Sequence, residues 1–146
     1  MAEKKPQTFE NHARLVPAYH MVAFPIFALN FLWSAYILVR GVSASTAIGL
    51  LLSVALVILF FTSRLFALTV QDRVIRLEMR LRLERLLPAD QHANIDRLSV
   101  DQFVSLRFAS DEELPALVSR VLDENLADRK KIKQLIRTWT PDYLRA

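Results

Sequence analysis

Two long stretches without a formal charge constrain this chain more than any other feature of its sequence. No Lys, Arg, Asp or Glu stands between Arg14 and Arg40, and none stands between Arg40 and Arg64. A helix that is apolar on every side must be buried all round, in a large protein core or in a bilayer. A membrane-spanning helix needs about 20 apolar residues, and both stretches are long enough. The sequence therefore predicts two transmembrane helices.

The two predicted spans are joined by a very short link, which makes them a hairpin. The spans cover about residues 20–39 and 46–68, and Gly41 ends the first helix. Such a link is a tight turn between antiparallel helices. Residues 1–69 are therefore expected to form a transmembrane helical hairpin, with Pro25 loosening the first turns of its first helix. A cleaved signal peptide is disfavoured because Arg40 stands where a cleavage region is uncharged.

The second helix is expected to continue beyond the membrane as a stalk. No Gly or Pro occurs from Leu50 until Pro88, so one helix of about 40 residues, roughly 60 Å long, is predicted. Its outer part carries apolar residues at helical spacing in two rows, Val70, Val74, Leu77 and Leu81 in one and Ile75, Met79 and Leu86 in the other. Part of the stalk also alternates apolar and charged residues as a strand does, but a lone strand has nothing to pair with.

Residues 70–146 are predicted to form the stalk and a small bundle of short amphipathic helices, so the fold class is all-α. Ser99 and Ser110 each open a capping box, and Asp128 can cap the last helix. About fifty residues of short helix bury little core alone, so their apolar rows need each other, the stalk, the membrane or a partner. The expected interaction face of this tail consists of Leu117, Val121, Ile132, Ile136 and Trp139.

Polar and small residues inside the spans predict helix contacts. Asn30 is the one strongly polar side chain deep in the first span, and an amide in hydrocarbon needs a partner. Ser45, Gly49 and Ser53 recur every four residues, a spacing that lets helices approach closely. These residues are expected to hold the hairpin, or two copies of it, together. A transport path would need ionisable groups at the midplane, where the spans have none.

The densest basic cluster lies near the C-terminus and comprises Arg129, Lys130, Lys131, Lys133 and Arg137. The cluster fits a solvated helix face. It also fits contact with anionic lipid headgroups, through Arg129, Lys130, Lys133 and Arg137. Nucleic acid is disfavoured as a partner because the cluster has no interleaved aromatic residues and the net charge is only +4. The predicted partners are membrane lipids and either another protein or a second copy of the chain.

Chemical motifs are missing from the sequence. The chain has 0 Cys, so it has neither a disulfide nor a thiolate metal site. His12 and His20 invite a haem or metal site, but the second span offers no further ligand, which favours interfacial roles. Glu112 and Glu113 are adjacent, so their side chains diverge on a helix and do not form an acid–base pair. We therefore expect neither an enzyme nor a bound cofactor.

Three strings resemble a family of small bacterial membrane proteins of unknown function. They are Gln7 to Arg14 with Pro17 and His20, then Leu106 to Pro115, and finally Ile132 and Lys133 with Trp139, Pro141, Asp142 and Tyr143. In this order they cover nearly the whole chain. The resemblance implies two membrane spans, a cytoplasmic helical tail and a bacterial inner membrane. It implies no reaction and no site residues.

The distribution of basic residues predicts the orientation. The turn carries only Arg40, whereas Lys4, Lys5 and Arg14 precede the first span and several arginines follow the second. By the positive-inside rule both termini are cytoplasmic.

The function predicted from these features is that of a membrane-anchored interaction or accessory protein. Its hairpin would hold the helical tail at the inner leaflet, where the tail binds a partner or a second copy. The alternative is a small oligomeric transporter or pore subunit built from the hairpin, with Asn30 and Ser53 lining the path.

Overall fold

The computed structural model describes residues 7–10 and 15–143. Within these ranges the protein is all-α, as the sequence predicts. The chain divides into two compact units, the hairpin unit, Arg14–Leu68, and the tail unit, Met1–Ala13 with Thr69–Ala146. His12, Lys4, Lys5 and Arg14, which entered the predictions above, lie outside the described residues.

The first helix of the hairpin unit begins with a turn that is wider than an α-helical turn. A π-helical turn, Ala18–Ala23, leads directly into α1, Phe24–Arg40. Pro25 has no N–H to donate to the carbonyl four residues before it, which removes one regular α-helical bond. The N–H of Phe24 instead bonds the carbonyl of Tyr19, five residues back. The expected loosening at Pro25 therefore takes the form of a π-helical turn.

The turn between the two long helices is closed by side-chain caps. α1 ends at Gly41, and α2 begins at Ala44. The Ser43 N–H donates to the Thr46 hydroxyl at 2.9 Å, and the Thr46 N–H donates to the Ser43 hydroxyl at 3.2 Å. This reciprocal pair satisfies backbone donors that a helix start leaves without partners.

The second helix is continuous over 43 residues, α2, Ala44–Leu86. The long helix expected from the absence of Gly and Pro is thus confirmed. Pro88 follows its end, as expected for a residue that cannot continue a helix. Both helical segments, Ala18–Arg40 and Ala44–Leu86, are long and apolar enough to cross a membrane, by length and composition.

Short helices follow α2 and build the rest of the tail unit. They are a 3₁₀ turn, Ala89–Gln91, then α3, Ala93–Arg97, α4, Val100–Leu106, α5, Leu114–Asp123, and α6, Arg129–Gln134. The capping box at Ser99 is complete, with Gln102 as its second member. Asp128 accepts hydrogen bonds from the N–H groups of Lys130 and Lys131 at the start of α6. Local caps thus set where α4 and α6 begin.

The tail unit has one hydrophobic core, which joins α2 to the short helices. Its most deeply buried members include Leu83 from α2, Phe103 from α4, Val121 from α5 and Ile132 from α6, each at most 1% exposed. Every short helix from α3 to α6 contributes to this core. The long helix therefore supplies the apolar area that the short helices could not supply for one another.

Candidate functional site

The stalk, residues 70–86 of α2, has one covered apolar face and one open apolar face. Ile75, Met79 and Leu83 on the covered face are between 0% and 5% exposed and pack in the tail core. The open face carries a row whose members are between 48% and 61% exposed, Val70, Val74, Leu77 and Leu81. We call these four residues the stalk row. The two apolar rows predicted from the sequence therefore differ in burial, because the tail core covers one face of the stalk and leaves the other exposed.

Arg82 attaches the loop after α4 to the stalk. Its Nη1 donates to the carbonyl of Arg107 at 3.2 Å, and its Nη2 donates to the carbonyl of Ala109 at 2.7 Å. Its Nε donates to the carboxylate of Asp111 at 2.6 Å. The planar guanidinium suits this task because it presents several donors in a fixed fork. We call this set of contacts the Arg82 junction.

The segment after α6 is bound to the same loop. The Glu113 carboxylate accepts hydrogen bonds from the N–H groups of Arg137 and Thr138, both at 3.1 Å. The Ser110 N–H donates to the carbonyl of Thr138 at 3.1 Å, and the Thr140 N–H donates to that of Phe108 at 2.7 Å. The loop from Phe108 to Glu113 thus joins the stalk to the C-terminal segment.

Trp139 lies at this loop, where the sequence placed it in an interaction face. Its ring stacks on the ring of Phe108 with centroids 4.5 Å apart and an interplanar angle of 14°. Phe108 is fully buried, and Trp139 is half-buried. The aromatic pair therefore holds the end of the chain against the loop that Arg82 fixes.

Gln7 brings the N-terminal segment to the C-terminal one. Its side-chain Nε2 donates to the carbonyl of Asp142 at 3.2 Å, and its Oε1 accepts from the N–H of Asp142 at 2.8 Å. The Asp142 carboxylate also lies 3.1 Å from Nε of Arg107. A buried amide that makes both bonds to one backbone residue fixes its position closely.

The other predicted tail residues lie largely inside the tail unit. Leu117, Val121 and Ile132 are at most 7% exposed, and Ile136 packs against the same core. Their apolar surface is covered by the stalk and by the other short helices. The residues of the expected interaction face therefore make internal contacts, whereas the stalk row is an apolar surface of this unit that stays exposed among the described residues.

The basic residues near the C-terminus differ in the contacts that they make within the chain. Arg129 forms ion pairs with Asp101 and, at 3.5 Å, with Asp72 of the stalk. The hydrogen bond to Asp101 is the main reason that the pKa of Arg129 is raised. Lys133 lies over the Phe108 ring at 5.4 Å. Lys130 and Arg137 are exposed.

Asn30 does not meet the small-residue face of the second helix. Asn30 is exposed and has no hydrogen-bond partner among the residues that the structure describes. The α1 residues that face α2 include Phe24, Phe27, Ala28 and Phe31. Asn30 points about 110° away from their mean direction, since each helical residue turns the chain by about 100°. Within one copy of the chain the structure therefore does not bring Asn30 to Ser53, and the predicted packing of Asn30 between two copies stays a prediction.

Of the three small residues, Gly49 and Ser45 do not lie at a close helix crossing. A Cβ added at Gly49 would meet no heavy atom within 4 Å. Ser45 is exposed and shares a hydrogen bond with Ser43 at 2.9 Å. Ser53 is 1% exposed, and its hydroxyl donates to the carbonyl of Leu50 at 2.7 Å. Gly49 instead borders an open groove with Trp33, which leaves no close backbone contact there.

Comparison with known protein families places the whole chain in one family. The model of DUF6526, a family of unknown function, matches residues 1–146. The chain belongs to this family. The predicted membership of an uncharacterised family is confirmed. Membership of DUF6526 implies no reaction, ligand or partner. Comparison with curated proteins and with solved structures found no match.

Sequence reasoning missed the Arg82 junction, although a signal for it was present. Arg82 follows Met79 by three residues and precedes Leu83, so it lies toward the covered face of the stalk. A charged side chain on a core-facing part of a helix indicates an internal partner. The loop that it binds falls within the string Leu106 to Pro115 on which the family resemblance rests.

Proposed function

We propose that the chain is a membrane-anchored interaction protein that assembles with a second copy of itself along the stalk. The hairpin unit crosses the bacterial inner membrane twice, and both termini are cytoplasmic. The observation that carries this proposal is the stalk row, four large apolar side chains that remain exposed while the other face of the helix is covered. An exposed apolar row of this kind marks an interaction site.

Three observations support the proposed membrane topology. Both long helical segments meet the length and hydropathy required of a span. Gln7 precedes the first of them, Asp142 follows the second, and the two residues are hydrogen-bonded to each other. That contact requires an even number of crossings. Arg40 is the one basic residue at the turn, whereas more basic residues flank the other ends of the two spans. This distribution favours the orientation with cytoplasmic termini.

The spacing of the stalk row favours a second copy as the partner. Val70, Val74, Leu77 and Leu81 are separated by four, three and four residues, as at the core positions of a coiled coil. Copies inserted in the same orientation present parallel stalks. Confinement to one membrane also raises the effective concentration, so that a short seam is sufficient.

The charges beside the seam are complementary in a parallel pair. In the seven-residue repeat, Arg73 of one stalk faces Glu78 of the other. Both side chains are exposed, and neither forms an ion pair within the described part of the chain. The following pair, Arg80 with Arg85, carries like charges. Each of those two arginines is already bonded to an aspartate of its own chain.

Cysteine cross-linking in native membranes tests the seam. Because the chain has 0 Cys, Leu77→Cys introduces a single thiol at the predicted contact. Arg76→Cys is the matched control, since this exposed neighbour points about 100° away. Oxidation is expected to give a covalent dimer with Leu77→Cys and far less with Arg76→Cys. Equal yields from the two variants would refute the seam.

Thiol labelling in intact cells tests the topology separately. Ser43→Cys in the turn is expected to react with a membrane-impermeant maleimide. Lys131→Cys, at an exposed position in α6, is expected to react only after the cells are permeabilised. Labelling of Lys131→Cys in intact cells contradicts the proposed orientation.

One observation favours a second candidate function, a pore or transporter subunit built from several hairpins. The exposed Asn30 amide has no partner in its own chain among the described residues, and an amide in hydrocarbon bonds a neighbouring helix. Ser53 does not contribute to such a path, because it is buried and bonded to Leu50. Counting copies by single-molecule photobleaching in native nanodiscs separates the candidates. The seam predicts two copies, whereas a pore requires more.

A further inference from the structure

A cleft runs along the hairpin unit between α1 and α2. Its inner part is a groove of about 220 Å³ lined only by apolar side chains, among them Phe24, Phe27, Phe31, Val57 and Phe60. Its outer part is a cavity of about 320 Å³ that shares Phe24, Phe60 and Phe61 with the groove. The outer part also has polar walls, formed by Tyr19, His20 and Arg64. We call the two parts together the hairpin cleft.

The polar end of the cleft is held in place by Tyr19. Its hydroxyl donates to the carbonyl of Phe60 at 2.7 Å. Its ring stacks on that of Phe60, with centroids 4.0 Å apart and an interplanar angle of 13°. The guanidinium of Arg64 lies 5.9 Å from the Tyr19 ring. Tyr19 thus positions a positive charge at the mouth of an apolar groove.

Arg64 has no counter-ion among the residues that the structure describes. The sequence contains no Asp or Glu between Glu10 and Asp72, and Arg64 forms no ion pair among the described residues. Nδ1 of His20 contacts the backbone of Val16, so Nε2 is the ring nitrogen available to a ligand. A guanidinium beside an imidazole is a suitable site for a phosphate group.

We propose that the hairpin cleft binds one anionic phospholipid, with its phosphate at Arg64 and His20 and an acyl chain in the apolar groove. The proposal rests on the proposed membrane insertion, which brings lipid to the cleft. A free phosphate would leave the groove unfilled, and a wholly apolar molecule would leave Arg64 without an anion. A phospholipid satisfies both parts, because its charge and its chain are covalently joined. The groove spans Phe24 to Leu32, about 12 Å along α1.

Native mass spectrometry of the full chain in detergent tests the site. Phosphatidylglycerol, phosphatidylcholine with the same acyl chains, and inorganic phosphate are added in separate samples. One phosphatidylglycerol is expected to remain bound in preference to phosphatidylcholine. Arg64→Gln is expected to weaken that binding by about tenfold, since a charge-assisted bond to phosphate is lost. Arg40→Gln is the matched control, because Arg40 also lies 5.9 Å from a tyrosine ring, that of Tyr36, but outside the cleft.

A second pair of variants tests the groove without changing the charge. Ala28→Phe places a ring in the groove and is expected to reduce phosphatidylglycerol binding. Ala55→Phe adds the same ring at an exposed position that does not line the groove, and is expected to leave binding unchanged. Both variants are first shown to insert by flotation with membranes, so that a failure to fold is recognised.

The possible results decide the proposal. Equal retention of the two lipids, or equal binding by Arg64→Gln and Arg40→Gln, overturns the site. Binding of inorganic phosphate that competes fully with the lipid shows an anion site without a chain groove, and also overturns it. Wild-type protein that does not float with membranes contradicts the proposed function. Wild-type protein that floats but retains no lipid contradicts the cleft alone.

Discussion

Replacing Arg82 by Gln is expected to loosen the tail unit while leaving the hairpin unit folded. Gln is shorter and has a single amide, so it cannot reach the three acceptors that Arg82 bonds, Arg107, Ala109 and Asp111. The substitution leaves two backbone carbonyls without the donor that held the loop to the stalk. The loop also holds the C-terminal segment, so the loss extends beyond the site of the change.

The structure sets the magnitude of this effect. The side chain of Arg82 is 18% exposed, whereas that of Asp111 is 46% exposed, so solvent screens their ion pair and it contributes little. The two carbonyl bonds carry most of the effect, and a hydrogen bond to a charged group contributes about 1.5–3 kcal/mol. We expect a loss of about 2–4 kcal/mol in the free energy of unfolding. For a unit of this size, ~1 kcal/mol shifts the Tm by about 4–8 °C.

Thermal unfolding of the full chain in detergent measures the loss. The chain has 2 Trp, so Trp33→Phe leaves Trp139, at the affected loop, as the single tryptophan for selective excitation. Arg82→Lys keeps the charge but not the fork and is expected to fall between wild type and Arg82→Gln. Arg76→Gln, at an exposed arginine without a described partner, is the control. If Arg82→Gln and Arg76→Gln unfold at the same temperature, the Arg82 junction does not hold the tail.

Three further changes test other parts of the tail unit. Trp139→Ala is expected to cost about 2–4 kcal/mol and to speed proteolysis of the tail, whereas Trp139→Phe keeps a ring on Phe108 and costs less. Asn125→Gly is expected to raise the Tm slightly, because Asn125 has a φ of 48°, in the left-handed region that glycine adopts with less strain than asparagine. The pKa of Glu112 is lowered from 4.5, chiefly by a hydrogen bond from Ser110. Ionised Glu112 therefore stabilises the folded chain at any pH above the pKa that Glu112 has in the unfolded chain. This stabilisation is lost as the pH falls through the lower pKa of the folded chain. Glu112→Gln is expected to flatten this part of the acid dependence of the Tm, and an unchanged acid profile would count against the Ser110 contact.

The sequence by itself determined the two long helices and the starts of α4 and α6, but not the π-helical turn, the 3₁₀ turn or α3. The features that predict these helices are local. They are the charge-free stretches, the run without Gly or Pro after Gly49, and the caps at Ser99 and Asp128. Each acts through the residue's own backbone or through neighbours one turn away. They could therefore be read correctly before any tertiary contact was known.

Only the tertiary structure decided which apolar rows are open. Periodicity shows that a row exists, but not what covers it, and Val74 and Ile75 have equally apolar side chains with opposite surroundings. The sequence left open which surface covers Leu117 and Ile132. Both lie in the core that the stalk shares with the short helices, while Val70 and Leu77 remain exposed. The Arg82 junction likewise joins residues up to 29 positions apart. Such contacts depend on how the helices pack, which no local pattern specifies.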